Sequence, residues 1–313
     1  MSNAAIIVNP NAGRGKAKTP WPRLQAMLRE ALGPLDILET GAPGDAERLT
    51  RAALQAGAER IIAIGGDGTL NETVNGFFLD DQATPANPNA SLSFLMSGTG
   101  GDFARSFDLP DAEEERINRL ATAPVRKIDV GLCHLTNHQG QPIYRYFDNI
   151  GSFGMSGDTC FNVNNATWQK KLGAAFAYNW GVLTAFVTFR KKNVLISADD
   201  SPAAAYPVNL ATMCNGRYFG AGMLPGPNAK LDDGLFDVLI LSDASIIDFL
   251  LSFPALRKGT APSHKKATNI QGRKIAATLD NKDDIVLIEL DGETPGRLPA
   301  TFTIMPAALN LQV

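Results

Sequence analysis

Arg60-Ile61-Ile62-Ala63-Ile64-Gly65-Gly66-Asp67-Gly68-Thr69-Leu70-Asn71-Glu72 is the stretch on which the reading of this chain turns. The apolar run Ile61 to Ile64 breaks at once into a turn with three glycines, and helical spacing then begins at Leu70, Val74 and Phe77. A buried strand therefore feeds a helix through a glycine loop. Without Cβ atoms at Gly65, Gly66 and Gly68, a polyphosphate can approach backbone N–H groups closely, and the following helix offers its positive end to the same place. Asp67 needs a separate reason. A carboxylate beside phosphates repels them unless a divalent cation lies between, so Asp67 is expected to hold Mg²⁺ directly or through water. The same residues also read as a plain strand-to-helix turn in which Asp67 or Thr69 caps the helix. The stretch alone leaves both readings open.

Outward from this loop, the N-terminal part repeats one pattern. Ile6 to Val8 is a strand, followed by Asn9-Pro10-Asn11-Ala12-Gly13-Arg14-Gly15-Lys16 and a helix over Trp21 to Leu32 that Gly33-Pro34 ends. Leu35 to Leu38 is a second short strand running into Glu39-Thr40, after which Asp45 can cap a helix reaching Gln55. Leu92 to Met96 is another buried strand, leaving through Ser97-Gly98-Thr99-Gly100-Gly101-Asp102-Phe103. Repeated βα units predict a parallel, doubly wound sheet, and ligands of such sheets bind at the carboxyl ends of the strands, where all three glycine loops lie. After Pro124 the segments 127–132, 144–150, 193–198, 208–214, 236–241, 275–279, 285–290 and 302–305 are short, β-rich and bounded by turn residues. They predict a mainly antiparallel, sandwich-like second domain. The division expected is 1–125, completed by 306–313, for the α/β nucleotide-binding domain and 126–305 for the sandwich.

With 313 residues the chain is long enough for two cores. A charged fraction of 19% and a formal net charge of -3 lack the basic excess that nucleic-acid binding needs, so no nucleic-acid partner is expected. Cys133, Cys160 and Cys214 are far apart and odd in number, which predicts reduced thiols in a cytoplasmic protein; no signal peptide is expected. Leu172 to Phe189 carries no charge and is flanked by basic residues, but Gly173, Asn179, Gly181, Thr184 and Thr188 dilute it, so a buried helix is expected rather than a membrane span. A helix over Ile246 to Leu256, followed by Arg257 and Lys258, has the apolar and basic faces that suit an anionic bilayer surface, though a core-facing helix explains it as well.

Taken in order, Asn9-Pro10 with Gly13 and Gly15-Lys16, Gly65 to Glu72, Gly98-Thr99-Gly100 with Asp102 to Arg105, Asp232-Asp233-Gly234-Leu235, and Leu290-Asp291-Gly292-Glu293 resemble the diacylglycerol kinase catalytic domain family. The resemblance spans nearly the whole chain and is closest to the stand-alone bacterial lipid kinases. It implies an ATP-dependent kinase for a lipid hydroxyl, using ATP and Mg²⁺, with an α/β nucleotide-binding domain, a β-sandwich domain and a cleft between them. Carried over by residue, Asn9, Thr40, Gly65, Gly66, Asp67, Gly68, Thr69, Leu70, Asn71 and Thr99 would contact ATP, with Asp67 also catalytic. Glu293 would accept the proton. The Lys230 carbonyl, Asp233 and the Leu235 carbonyl would hold a second Mg²⁺. The implied partner is a lipid met at a membrane surface by a cytoplasmic enzyme, with diacylglycerol, phosphatidylglycerol and sphingoid bases all in range and the oligomeric state, a homodimer among the options, open.

Phosphoryl transfer asks little covalent help of a protein: positioned phosphates, a cation and a carboxylate for the acceptor proton suffice. Read without the family, Asp291-Gly292 is first a hairpin turn and Glu293 a solvated residue after it, while Asp232-Asp233-Gly234 is first a turn. The chain departs from the family pattern at Gly101, which stands where Asn is usual, and in the loops 80–89 and 137–142. His134, His138 and His264 are not read as a metal site. Two rival readings are an NAD kinase, whose Thr-Gly-Ser-Thr-Ala-Tyr-like segment is absent here, and a catalytically silent nucleotide- or lipid-binding regulator.

Overall fold

A computed structural model describes residues 3–12, 21–96, 101–165, 189–245, 248 and 254–313. The chain forms two compact units. The first holds residues 1–130 together with 231–233 and 305–313, and the second holds 131–230 and 234–304.

In the first unit, β1 (Ala4–Val8) lies between β2 (Asp36–Glu39) and β3 (Arg60–Gly65), and β4 (Ser91–Met96) pairs on the far side of β3. All pairings are parallel. Parallel strands covered on both faces must be apolar without alternation, and Ile61 to Gly65 are accordingly buried at every position. Helices α1 (Trp21–Leu32) and α4 (Glu113–Thr122) share one core with Ile6, Val8, Ile62, Ile64 and Leu95. Helices α2 (Asp45–Gln55) and α3 (Asp67–Gly76) pack together and touch the sheet through β1 and β3. The last residues of the chain close the far edge: Asn310 and Leu311 pair in parallel with Ser91 and Leu92, and Gln312 N donates to Leu92 O at 2.8 Å.

One expected cap is different. Asp45 opens α2 but does not cap it; Gly44, with φ 86°, holds the cap position and no side-chain cap bond forms there. The Asp45 carboxylate instead turns back onto the N–H groups of Gly41 and Ala42, at 2.9 and 3.0 Å. Glu72 of α3 supplies the acceptors, taking Gly44 N–H at 2.8 Å and Ala46 N–H at 3.1 Å. Asp45 stands one residue past the cap position, and a carboxylate from the neighbouring helix satisfies the positive end.

The second unit is antiparallel. Beyond β5 (Arg126–Asn137) and β6 (Pro142–Phe147) come β7 (Ile150–Gly154), α5 (Met155–Asn165), β8 (Lys192–Ala198), β9 (Ala204–Cys214) and β10 (Phe236–Ser242). They are followed by β11 (Ala267–Gly272), β12 (Lys274–Leu279), β13 (Leu287–Leu290) and β14 (Glu293–Leu311). The pairings close on themselves, running β9, β8, β12, β14, β13, β7 and back to β9. Inside lie Phe147, Phe153, Phe236 and Phe302 with aliphatic neighbours. The alternation of Leu298, Ala300, Phe302 and Ile304 inward is the period of a strand with one face on a core. The strand expected at 285–290 starts at Leu287, and 267–272 forms an unexpected strand. The expected helix 172–189 lies outside the described residues apart from its last one, and that over 246–256 mostly so. Among the described residues no helix is long and apolar enough to cross a membrane.

Candidate active site

The strand order of the first unit reverses between β1 and β3, the first leading outward to β2 and the second to β4. Such a switch point leaves a crevice at the strands' carboxyl ends. Asn9 leaves β1 there and Gly65 to Thr69 leave β3. Asn9 N donates to Ile64 O at 2.9 Å, and its side-chain amide donates to Thr69 Oγ1 at 3.2 Å, tying the two loops together. Asn9 Oδ1 in turn accepts Asn11 N–H at 2.9 Å. Thr40 stands at the end of β2, buried, its N–H on Val8 O.

The two leading glycines have different causes. A Cβ on Gly65 would lie 2.5 Å from Thr69 Oγ1, so close packing of strand and helix requires glycine there. A Cβ on Gly66 would meet nothing within 4 Å, and its φ of -94° suits any residue. Gly66 heads α3, beside N–H groups that a helix leaves without internal partners.

Gly66 holds the cap position of α3 and no side-chain cap bond forms there, so neither Asp67 nor Thr69 caps the helix as the turn reading expected. Asp67 Oδ2 accepts Gly101 N–H at 2.9 Å, linking the exit of β3 to that of β4. Gly101 has φ 67°, in the left-handed region that Gly and Asn adopt most readily, so the exchange of the family's usual Asn for Gly preserves the backbone. Next to it Asp102 is buried and paired with Arg105 at 3.2 Å, while the Phe103 ring packs on Phe94 and Phe107 with centroids 5.7 and 5.0 Å apart. Thr99 lies outside the described residues. Leu70 and Asn71 are buried one turn into α3: the Leu70 N–H is used on Gly66 O, and Asn71 accepts from Asn75.

In the second unit, Asp291 and Gly292 form a two-residue hairpin with φ 48° and 89°, and Leu290 pairs with Glu293 across it. Both central residues at positive φ make the turn that suits strand twist. Glu293 is exposed at the start of β14. The Asp291 carboxylate accepts the N–H groups of Asp148, Asn149 and Ile150 at 2.8, 3.2 and 2.9 Å, a role that its place in a motif did not announce. His138, from the loop 137–142, sets Nε2 2.8 Å from Thr294 O, beside Glu293.

Lys230 to Leu235 is a turn with Gly234 at φ 72° and Asp233 exposed. Buried Asp129, which sequence reasoning passed over, donates its N–H to Leu231 O at 2.6 Å and accepts Ala307 N–H at 2.7 Å. The donor set of a carboxylate with two carbonyls is all hard oxygen, which fits Mg²⁺ or Ca²⁺ and not a softer metal.

Two family patterns match this chain, the diacylglycerol kinase catalytic domain over residues 3–133 and the YegS C-terminal NAD kinase beta sandwich-like domain over residues 150–313. The chain belongs to the family of the YegS C-terminal NAD kinase beta sandwich-like domain, which spans more than half of it, and its N-terminal part matches the diacylglycerol kinase catalytic domain. It is accordingly a phosphotransferase of the lipid kinase kind, and kinase membership implies ATP. It is 28% identical over 299 residues to a diacylglycerol kinase of Staphylococcus epidermidis, covering 96% of this chain and 88% of the relative. A diacylglycerol kinase structure from Bacillus anthracis str. Sterne superposes with TM-score 0.69 at 19% identity, over 99% of this chain and 96% of the other. Yeast NADH kinase shares the fold with TM-score 0.53 at 11% identity, over 98% and 82% of the two chains.

Proposed function

We propose that this lipid kinase transfers the γ-phosphate of ATP to the hydroxyl of a diacylglycerol-like, phosphatidylglycerol or sphingoid lipid met at a membrane surface, with Glu293 as general base. The observation that supports the nucleotide part is Gly66, a glycine at the head of α3 with open space beside it, at the carboxyl ends of the strands where the strand order reverses between β1 and β3. Phosphates seated there meet helix N–H groups, while Asn9 and Thr69 hold the two loops at a fixed separation. Asp67, its other oxygen on Gly101 N–H, is the carboxylate that would hold Mg²⁺ on the nucleotide, and Asp233 with the Lys230 and Leu235 carbonyls would hold a second ion. Bound Mg²⁺ neutralises the charge that builds on the transferred group. Glu293 takes the proton of the lipid hydroxyl as that oxygen attacks the γ-phosphorus; the bond from γ-phosphorus to the bridging oxygen breaks, and ADP leaves with the electron pair.

The test is incubation of the protein with γ-labelled ATP, Mg²⁺ and a total lipid extract, followed by identification of the labelled product, with NAD as a parallel acceptor. Label in a phosphorylated lipid supports the reading. Label in NADP alone replaces it with the NAD kinase alternative, and no transfer with intact ATP binding replaces it with a silent nucleotide-binding regulator.

A further inference from the structure

Glu289 is a carboxylate buried in a strand between Ile288 and Leu290, at 6% exposure. A charge there costs desolvation, and an apolar residue would serve the fold as well. Its two oxygens have definite work. Oε1 accepts Gly292 N–H at 2.6 Å, and Oε2 accepts the Ser152 hydroxyl, which lies 2.8 Å from that of Ser156. The other side of the same residue is held too: Gly292 O accepts the Cys160 thiol at 2.8 Å and the Asn164 amide at 3.1 Å, both from α5.

A hairpin turn of this type needs only two residues that tolerate positive φ, which Asp291 and Gly292 already provide. Clamping Gly292 at both its N–H and its C=O goes beyond what the hairpin needs, and the next residue is Glu293. We propose that Glu289 is a positioning residue for phosphoryl transfer, fixing the Gly292 backbone and through it the direction of the Glu293 carboxylate. This rests on Glu293 as general base. Displacing a reacting group by about 1 Å can cost ~10²-fold in rate, so removing the Glu289 clamp is expected to lower kcat by about 10- to 100-fold.

The test is a set of full-length variants, Glu289→Leu, Glu289→Gln, Glu293→Gln and the Glu289→Leu/Glu293→Gln double variant, in which kcat, the ATP dissociation constant and the thermal midpoint are measured. Glu289→Leu should lose kcat with ATP affinity unchanged. Glu289→Gln, which can still accept from Gly292 N–H and bond Ser152, should recover most of that rate. In the Glu293→Gln background, Glu289→Leu should cost nothing further, because it has no base left to direct. A full rate in Glu289→Leu, or an equal loss in both backgrounds, overturns the positioning role while leaving the base intact. A full single-turnover rate in Glu293→Gln removes the base itself, and the positioning role with it. Should Glu289→Leu fail to fold, Ser152→Ala, which releases Oε2 alone, carries the same cycle.

Discussion

Gly65 and Gly66 are adjacent and chemically identical, yet a side chain at the first would strike Thr69 and one at the second would meet open space, where the proposed function places phosphates. Gly65→Ala puts a methyl group against Thr69 and should destabilise the fold by ~1–3 kcal/mol, as overpacking does. Gly66→Ala, with open space around it, should cost under about 1 kcal/mol as a cap exchange. It should nonetheless weaken ATP by about tenfold, or ~1.4 kcal/mol. Thermal unfolding with calorimetric ATP titration separates the two, and unchanged ATP affinity in Gly66→Ala would remove Gly66 from the proposed nucleotide site. Asp67→Ala should abolish turnover with the circular dichroism spectrum retained; an active, folded variant contradicts its proposed metal role. The sequence makes the loop itself legible, because a buried apolar run, three glycines and helical spacing admit few other structures. It does not separate the two glycines, since the difference lies in what stands opposite each, and Thr69 is brought against Gly65 only by the turn of α3. Asp291 was hidden for a similar reason: its three backbone partners lie at Asp148 to Ile150, far along the chain.

At the scale of elements, α2 and α3 are joined by charge as well as by packing. Glu72 satisfies two N–H groups at the start of α2, and Glu72→Ala should lower stability by ~1–2 kcal/mol, in the range of a lost cap with its dipole contribution. Chemical denaturation measures it, and a change within error would mean that water replaces the carboxylate fully. Asp45 completes the same corner. Its side-chain bond to Arg48, with the Gly41 and Ala42 N–H groups, holds its pKa below the ordinary aspartate value. A carboxyl whose folded pKa is depressed stabilises above its unfolded pKa, and that contribution is lost as pH falls through the folded value. The thermal-midpoint advantage of the native protein over Asp45→Ala should therefore be largest near neutral pH and shrink on acidification toward pH ~3. A gap that widens on acidification would reverse the assignment. The helix bounds of α1 and α2 follow from the pattern of apolar residues and the Gly-Pro stop. The cap does not, because Asp45 is a good cap by type and only the backbone at Gly44 turns it elsewhere.

For the whole molecule, the order of the chain matters more than its composition. The first unit is discontinuous: after residue 130 it lacks the segment 305–313, which returns only after the second unit has been completed. Those last residues are core. Leu309 and Leu311 are at 1% and 0% exposure, Asn310 and Leu311 pair with β4, Gln312 N donates to Leu92 O, and the Gln312 side chain donates to Ala123 O at 2.9 Å. Ser93 Oγ donates to Gln312 O at 2.8 Å. A chain stopped at Val130 thus leaves β4 as an open edge with its N–H and C=O groups unpaired and its apolar neighbours wet, a condition that favours aggregation. Burying two leucines contributes roughly 1.5–3 kcal/mol each, a large share of a stability of about 5–15 kcal/mol. The fragment 1–130 is therefore expected to be poorly folded and to give no ATP-dependent rise in thermal midpoint, although it contains every described residue of the glycine loops. In the intact chain, Leu311→Ala should cost ~2–5 kcal/mol while the loops proposed to meet the nucleotide stay unaltered. Scanning calorimetry with and without ATP and Mg²⁺ checks both. A fragment 1–130 that folds cooperatively and responds to ATP as the intact chain does would show that the returning strand is an accessory, and that the nucleotide site depends only on the strands that carry its loops.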